Sequence, residues 1–271
     1  MENIAQKLAL SDFLRAPVIQ TAIRTLDLPP GSRGLDVGCG IGSHTLLLAE
    51  AVGEGGYVTG LDRSRELLAE AEQRAAGSSH RNRVSFQYGD MYALPWPEDS
   101  MDWVWSVDCA GYAPGDPVSL LREFTRVVRP GGRIVLMAWS SQQLIPGHPV
   151  LEARLNATSQ GIAPFAQGQR PESHMLRALG WFEEAGLENA RARTLVGDVQ
   201  APLGREVREA LLSLFDMRWG EPGGELPAED EAAYRHLCDP ESPDCILNAR
   251  DYYAFFTYSL FEGSVGIDKA S

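Results

Sequence analysis

Three glycines at alternate positions constrain this chain more than any other feature. Residues 35–42 read LDVGCGIG, so Gly38, Gly40 and Gly42 follow a short apolar run that carries one acid, Asp36. Glycine loses more backbone freedom on folding than any other residue. A cluster of this kind marks a place where the backbone must turn sharply or lie close to another molecule. What surrounds it decides which fold the turn serves.

The flanking sequence alternates strand and helix signals. GLDVG reads as a strand, and SHTLLLAEAVG as a helix with Ser43 as its cap and a glycine stop. YVTGLD is the next strand, ending at Asp62, and RSRELLAEAEQRAAG is a helix capped by Ser64 and stopped at Gly77. Strands VSFQYGD and MDWVWSVD follow, then helix PVSLLREFTRVVRPGG and strand RIVLMAW. Alternation through residues 34–139 predicts an α/β fold: a parallel sheet with helices on both faces, joined by right-handed crossovers.

Beyond residue 140 the pattern changes. Residues 140–172 are rich in Gly, Pro, Ser and Gln and show little periodicity. SHMLRALGWFEEAGLE then predicts an amphipathic helix and NARARTLVGDV a strand. REVREALLSLFDMRW and EDEAAYRHLC add helical material, and DYYAFFTYSLFEGSV reads as a terminal strand. The expectation is one domain over 1–271: a helical segment at 1–29, a core at 30–140, sheet completion with an inserted helical cap at 141–250, and a last strand at 251–271.

Composition narrows the partners. With 44% hydrophobic and 23% charged residues, the 271-residue chain can bury a sizeable core. Its 37 acids against 24 Lys and Arg give a formal charge of −13, which repels nucleic acid. No stretch has the apolar length of a membrane span, and the N-terminus lacks the charged end and apolar block of a secretory signal. The four cysteines, Cys39, Cys109, Cys238 and Cys245, have no metal-ligand spacing. They are expected to be reduced in a cytoplasmic protein, without a metal.

In an open parallel sheet, ligands bind beyond the carboxyl ends of the strands. Asp62, at the end of the second strand, is placed to accept both hydroxyls of a ribose. A dinucleotide site wants G-x-G-x-x-G, whereas this chain has G-x-G-x-G with Asp36 two residues before it. A carboxylate there repels a pyrophosphate and suits a ligand with positive charge near the turn. A ribose, a cationic centre and no phosphate describe S-adenosylmethionine.

At this point a resemblance emerges. LDVGCGIG resembles the first motif of the class I S-adenosylmethionine-dependent methyltransferases, and GLDRS their acidic end of strand two. GDMYALPWPEDSMDWVWSVD resembles the stretch spanning strands three and four, and LREFTRVVRPGGRIVLMAW is similar to the helix and strand that follow. The matches cover roughly residues 30–140 in the family's order. They imply a Rossmann-like, seven-stranded, mostly parallel sheet, with S-adenosylmethionine as cofactor and S-adenosylhomocysteine as product.

The resemblance also implies roles. Gly38, Cys39, Gly40 and Gly42 form the turn against the methionine part, with Asp36 beneath it and His44 within reach of the methionine carboxylate or simply on the surface. Asp62 holds the ribose hydroxyls and Arg63 lies beside the adenine. Asp90 accepts from the adenine amino group, and Met91 lies against the ring. Asp108 and Cys109 face the methionine moiety and the reactive methyl. At the end of strand four, DCAGYAP departs from the Asn/Asp-Pro-Pro-Tyr motif of amino-group methyltransferases, so the resemblance points to a small-molecule acceptor.

Tyr112 and Trp139 are candidates for the acceptor wall, as are Trp219, Tyr252 and Phe256. His148 and His174 are candidate bases. Two other readings stand beside this one: an NAD-dependent oxidoreductase, and a cofactor-binding regulator of the same fold that transfers nothing.

Overall fold

A computed structural model describes residues 4–162, 170–220 and 222–267. The middle of the aperiodic stretch, 163–169, lies outside the described residues. Helix α1 (Ile4–Leu26) leads into β1 (Arg33–Val37), α2 (Ser43–Ala51), β2 (Tyr57–Asp62), α3 (Arg65–Ala76) and β3 (Val84–Tyr88). Next come β4 (Met101–Val107), α4 (Pro117–Val127), β5 (Val128–Gln143), α5 (Pro149–Asn156) and α6 (Ala178–Glu184). The chain continues with β6 (Glu188–Gln200), α7 (Arg205–Arg218), α8 (Ala228–Cys238) and β7 (Tyr253–Ser264).

The seven strands form one sheet in the order β3-β2-β1-β4-β5-β7-β6. The pairs β1–β2, β1–β4, β2–β3 and β4–β5 are parallel. The fold is Rossmann-like α/β, as the alternation implies. Strand order reverses between β1 and β4, so the cleft beyond their carboxyl ends is the topological switch point.

Local chemistry explains the elements that frame this cleft. Strand β1 is buried over Gly34–Val37 and β4 almost throughout, as expected for central parallel strands covered on both sides. Trp103 of β4 lies over Gly34, which has no Cβ to obstruct it, and its indole N–H donates to Ser32 Oγ at 2.9 Å. Ser64 caps α3 by accepting from Leu67 N at 3.3 Å. Asp116 caps α4 through Ser119 N at 2.8 Å, with Pro117 opening the helix. Ser43 does not cap α2. The cap is Gly42, in the left-handed region with no side-chain bond, and Ser43 is the first helical residue.

Two compact units interleave along the chain. One gathers Val18–Trp139, Arg170–Leu195 and the chain from Tyr258 onward; the other gathers the chain up to Pro17, the stretch from Ser140, and Val196–Thr257. In the second unit Glu152 is fully buried and accepts from Leu144 N and Ile145 N. Trp219 is stacked on Phe215, with centroids 5.6 Å apart, and Tyr252 donates to Leu144 O at 3.0 Å. Trp219, Tyr252 and Phe256 are all buried core, so the expectation that they wall a pocket is corrected. The helix expected from SHMLRALGWFEEAGLE is shorter: two 3₁₀ turns precede α6.

Candidate active site

The glycine turn is built by the backbone of β2. Gly38 N and Cys39 N both donate to Leu61 O, at 2.8 and 3.1 Å. Gly42 N donates to Cys39 O at 2.9 Å, and Gly40 N to Asp62 Oδ2 at 2.9 Å. Gly38, Gly40 and Gly42 have φ of 77°, 54° and 78°, in the left-handed region that glycine enters without steric cost. Gly38 has a second constraint: a Cβ there would run into the Cys109 side chain. The close approach that the sequence implied is thus partly to the protein's own β4 end.

Asp36 sits under this turn, 1% exposed, and accepts a 2.6 Å bond from Thr45 Oγ1 on α2. Burial raises its pKa from 3.8 to about 7, against the opposing Thr45 bond and with a further push from Asp62. Asp62 has two structural partners, Gly40 N and Ser64 N, the latter at 2.8 Å on Oδ1. Each carboxylate oxygen can accept more than one bond, so Asp62 retains capacity for a ligand.

A cavity of about 440 Å³ opens beside the turn, lined by Gly38, Asp62, Arg63, Asp90, Met91 and Cys109 among others. Six of the twelve positions proposed for the cofactor therefore line one cavity. Gly40 and Gly42 complete the turn, Asp36 lies beneath it, and His44 is half-buried in the first turn of α2. Asp90 Oδ1 accepts from Tyr92 N at 2.9 Å and so shapes its own loop. Burial, with Asp62 and Asp36 nearby, raises the Cys109 thiol to about 12, and burial raises Cys39 too. Both sulfurs are protonated and poorly nucleophilic near neutral pH.

Asp108 follows β4 with φ of 49°, a left-handed conformation, and its N donates to Met137 O at 2.9 Å. Its Oδ1 accepts from Trp139 N at 2.9 Å, and its Oδ2 accepts from Tyr258 Oη at 2.7 Å. Tyr112 Oη donates to Trp139 O at 2.6 Å, and the Trp139 and Tyr258 rings meet edge-on at 5.6 Å. Tyr112 and Trp139 are thus brought together at the β4 and β5 ends. His174 uses Nδ1 to accept from Leu176 N at 3.2 Å, capping a 3₁₀ turn. His148 is exposed at the start of α5, in the second unit.

Sequence reasoning missed Tyr88, Tyr92 and Pro114, which also line the cavity, and Tyr258. Tyr88 and Tyr92 had a local signal, since they flank Asp90 in YGDMY. Tyr88 also carries the Arg65 guanidinium 4.1 Å above its ring. Tyr258 had no local signal. Among the described residues, no group of three or more His, Cys, Asp or Glu is arranged to hold a metal ion.

The donor set tests which cofactor fits. A pyrophosphate at such a turn is held by free backbone N–H groups, yet Gly38, Cys39, Gly40 and Gly42 donate theirs within the protein. A buried carboxyl beneath them further disfavours an anion. The carboxyl groups of Asp62 in the cavity lining and Asp36 buried beneath the turn suit a ligand with a ribose and a cationic centre. That is the chemistry of S-adenosylmethionine and not of NAD.

Comparison with known proteins agrees. Residues 35–132 match the family described as "Methyltransferase domain". A demethylmenaquinone methyltransferase of Bacillus mycoides is 32% identical over 190 residues, which cover 66% of this chain and 79% of that protein. Methyltransferase GfsG of Streptomyces halstedii is 30% identical over 214 residues, 79% of this chain and 72% of that one. The crystal structure of an S-adenosylmethionine-dependent methyltransferase from Aquifex aeolicus shares the fold, with a TM-score of 0.52 at 20% identity, covering 72% of this chain and 93% of that chain. No described helix is long and apolar enough to cross a membrane. The chain belongs to the class I S-adenosylmethionine-dependent methyltransferases.

Proposed function

We propose that this methyltransferase acts on a small organic acceptor and holds its cofactor in the cavity beside the glycine turn. The observation that carries the site assignment is the turn itself, whose amides are engaged internally while carboxylates line the wall. Bound S-adenosylmethionine supplies a methyl group already activated by its sulfonium. The protein's task is then alignment, charge complementarity and exclusion of water.

In this reading Asp62 accepts from the ribose hydroxyls with the lone pairs that Gly40 N and Ser64 N leave open. Asp90 takes the adenine amino group, with Met91 against the ring and Arg63 beside it. Asp36, with Gly38, Cys39, Gly40 and Gly42, supports the methionine end, and His44 stands within reach of its carboxylate. Asp108 and Cys109 bound the side on which the methyl leaves. Tyr112 and Trp139 form an aromatic wall for the acceptor. His174 is a weak candidate for a base, because Nδ1 already accepts a backbone bond.

A small acceptor is supported by the charge of −13, which opposes nucleic acid, and by DCAGYAP at the end of β4. The test is transfer of a labelled methyl from S-adenosylmethionine. Demethylmenaquinone, the acceptor in the name of the Bacillus mycoides relative, is the first compound to try, beside a phenol panel, bulk tRNA and unfolded protein. Label in the organic extract alone is expected. Label in tRNA or protein, with none in the extract, overturns the acceptor class.

A further inference from the structure

We propose that Tyr92 is a positioning residue that straps the cofactor cavity shut and thereby sets how long cofactor and product stay bound. Two loops meet at this cavity: residues 89–95 after β3, and residues 108–116 between β4 and α4. Tyr92 and Pro114 both line the cavity, one from each loop. Tyr92 Oη donates to Pro114 O at 2.9 Å, joining segments 22 residues apart with a single bond that solvent can reach.

The sequence around the bond is shaped to admit it. Gly115 has φ of +125°, and a Cβ at that position would lie 2.8 Å from Tyr92 Oη. A side chain there would push the phenol off the carbonyl. At the other end of the same loop, the Met175 side chain occupies the space that a Cβ on Gly111 would need. The segment 111–115 thus meets Met175 at one glycine and Tyr92 at the other. At the base of the Tyr92 loop, Asp90 Oδ1 accepts from Tyr92 N. The strap thus starts from the carboxylate assigned to the adenine and reaches across to the loop that begins at Asp108.

One exposed neutral hydrogen bond is weak enough to break often and strong enough to matter for a rate. A ligand enclosed by both loops leaves only when they part, so the strap governs exchange more than chemistry. The proposal rests on the cavity being the cofactor site.

The test uses two variants that open the strap by different means: Tyr92→Phe deletes the hydroxyl, and Gly115→Ala displaces it. The first measurement is the dissociation rate of S-adenosylhomocysteine, read by stopped-flow tryptophan fluorescence after displacement with excess S-adenosylmethionine. Each variant is expected to release it about two- to tenfold faster than the wild type. The second measurement is amide hydrogen exchange in the ligand-free protein, where residues 110–116 should exchange faster in both variants and those of β1 and β2 should not. Unchanged dissociation and unchanged loop exchange in Tyr92→Phe overturn the strap, whether or not Gly115→Ala folds. If the wild-type chain fails to bind S-adenosylhomocysteine, the cavity reading fails instead, and the ligand-free exchange still decides for or against the Tyr92 bond.

Discussion

Replacing Asp36 with asparagine isolates the charge that the fold buries beneath the glycine turn. In the folded chain this carboxyl titrates at about 7 rather than 3.8, because burial disfavours its charged form. The raised value means that the folded state keeps a proton that the unfolded state gives up. Stability from this group is full below about pH 4 and is lost as pH rises from about 4 to about 7, then levels off. The displacement from 3.8 to about 7 corresponds to about 4 kcal/mol. At roughly 2 °C per kcal/mol for a chain of this size, that is on the order of 8 °C in unfolding midpoint.

The asparagine of Asp36→Asn carries no charge at any pH, and its amide oxygen can still accept from Thr45 Oγ1. Wild type and variant should therefore unfold at similar temperatures at about pH 4, and the variant should gain steadily up to about pH 7. Thermal unfolding of the ligand-free proteins across that range is the assay, and the difference between the two curves removes the other titrating groups. Cofactor binding adds an independent check. A cationic ligand near Asp36 favours its ionised form, so calorimetry at pH 6 in buffers of different ionisation heat should register proton release in the wild type but not in the variant. Parallel stability curves between about pH 4 and about pH 7 would refute the reasoning, because Asp36 would then be titrating as an ordinary carboxyl.

Three further substitutions test other parts of the site. Asp62→Ala removes the proposed ribose acceptor and the Gly40 anchor together, and should weaken S-adenosylmethionine binding by about 10²-fold or more in calorimetry, at the strength usual for charge-assisted bonds. Gly38→Ala adds a β-carbon at φ 77° against Cys109, and should cost about 2 kcal/mol or more in denaturant unfolding. Adding Cys109→Gly should recover part of that loss, because the collision but not the backbone strain is relieved, and a purely additive double variant would contradict the contact. Tyr258→Phe takes a donor from Asp108 and should lower stability by about 1–2 kcal/mol. An unchanged midpoint would mean that the Tyr258 bond adds nothing to the fold's stability.

Why some of this was legible in the sequence and some was not follows from locality. Strands β1 to β5 and helices α2 to α4 carry their signals within a few residues: apolar runs, Ser64 and the glycine stops. The carboxyl ends that face the cleft follow from topology once the alternation is read. Asp62 was picked out by position, yet its bond to Gly40 N was not, because that bond depends on the register of β2 against β1. The cap of α2 was misplaced by one residue, since Gly42 serves the turn and the helix at once. Tyr258 meets Asp108 across 150 residues, and only the insertion of β7 beside β5 brings them together. Trp219, Tyr252 and Phe256 looked like candidates because aromatic pattern alone does not distinguish a pocket wall from a core.

The charge pattern gives the site a direction as well as an address. Asp62 and Asp90 line the cavity with Arg63 as counterweight, and the buried Asp36 is near enough to feel the Asp62 charge. The donor carries a sulfonium that the product lacks, so a carboxylate-rich wall attracts the donor more strongly than the product. Asp36 sharpens this preference only when ionised, which in the ligand-free fold holds above about pH 7 and which a bound cation extends to lower pH. On the proposed placement of the cofactor, the same buried carboxyl that costs the ligand-free fold stability favours donor over product. It follows that the affinity ratio of S-adenosylmethionine to S-adenosylhomocysteine should be larger in the wild type than in Asp36→Asn. Competition calorimetry at pH 7.5 measures that ratio directly, and equal ratios in the two proteins would place Asp36 outside the reach of the sulfonium.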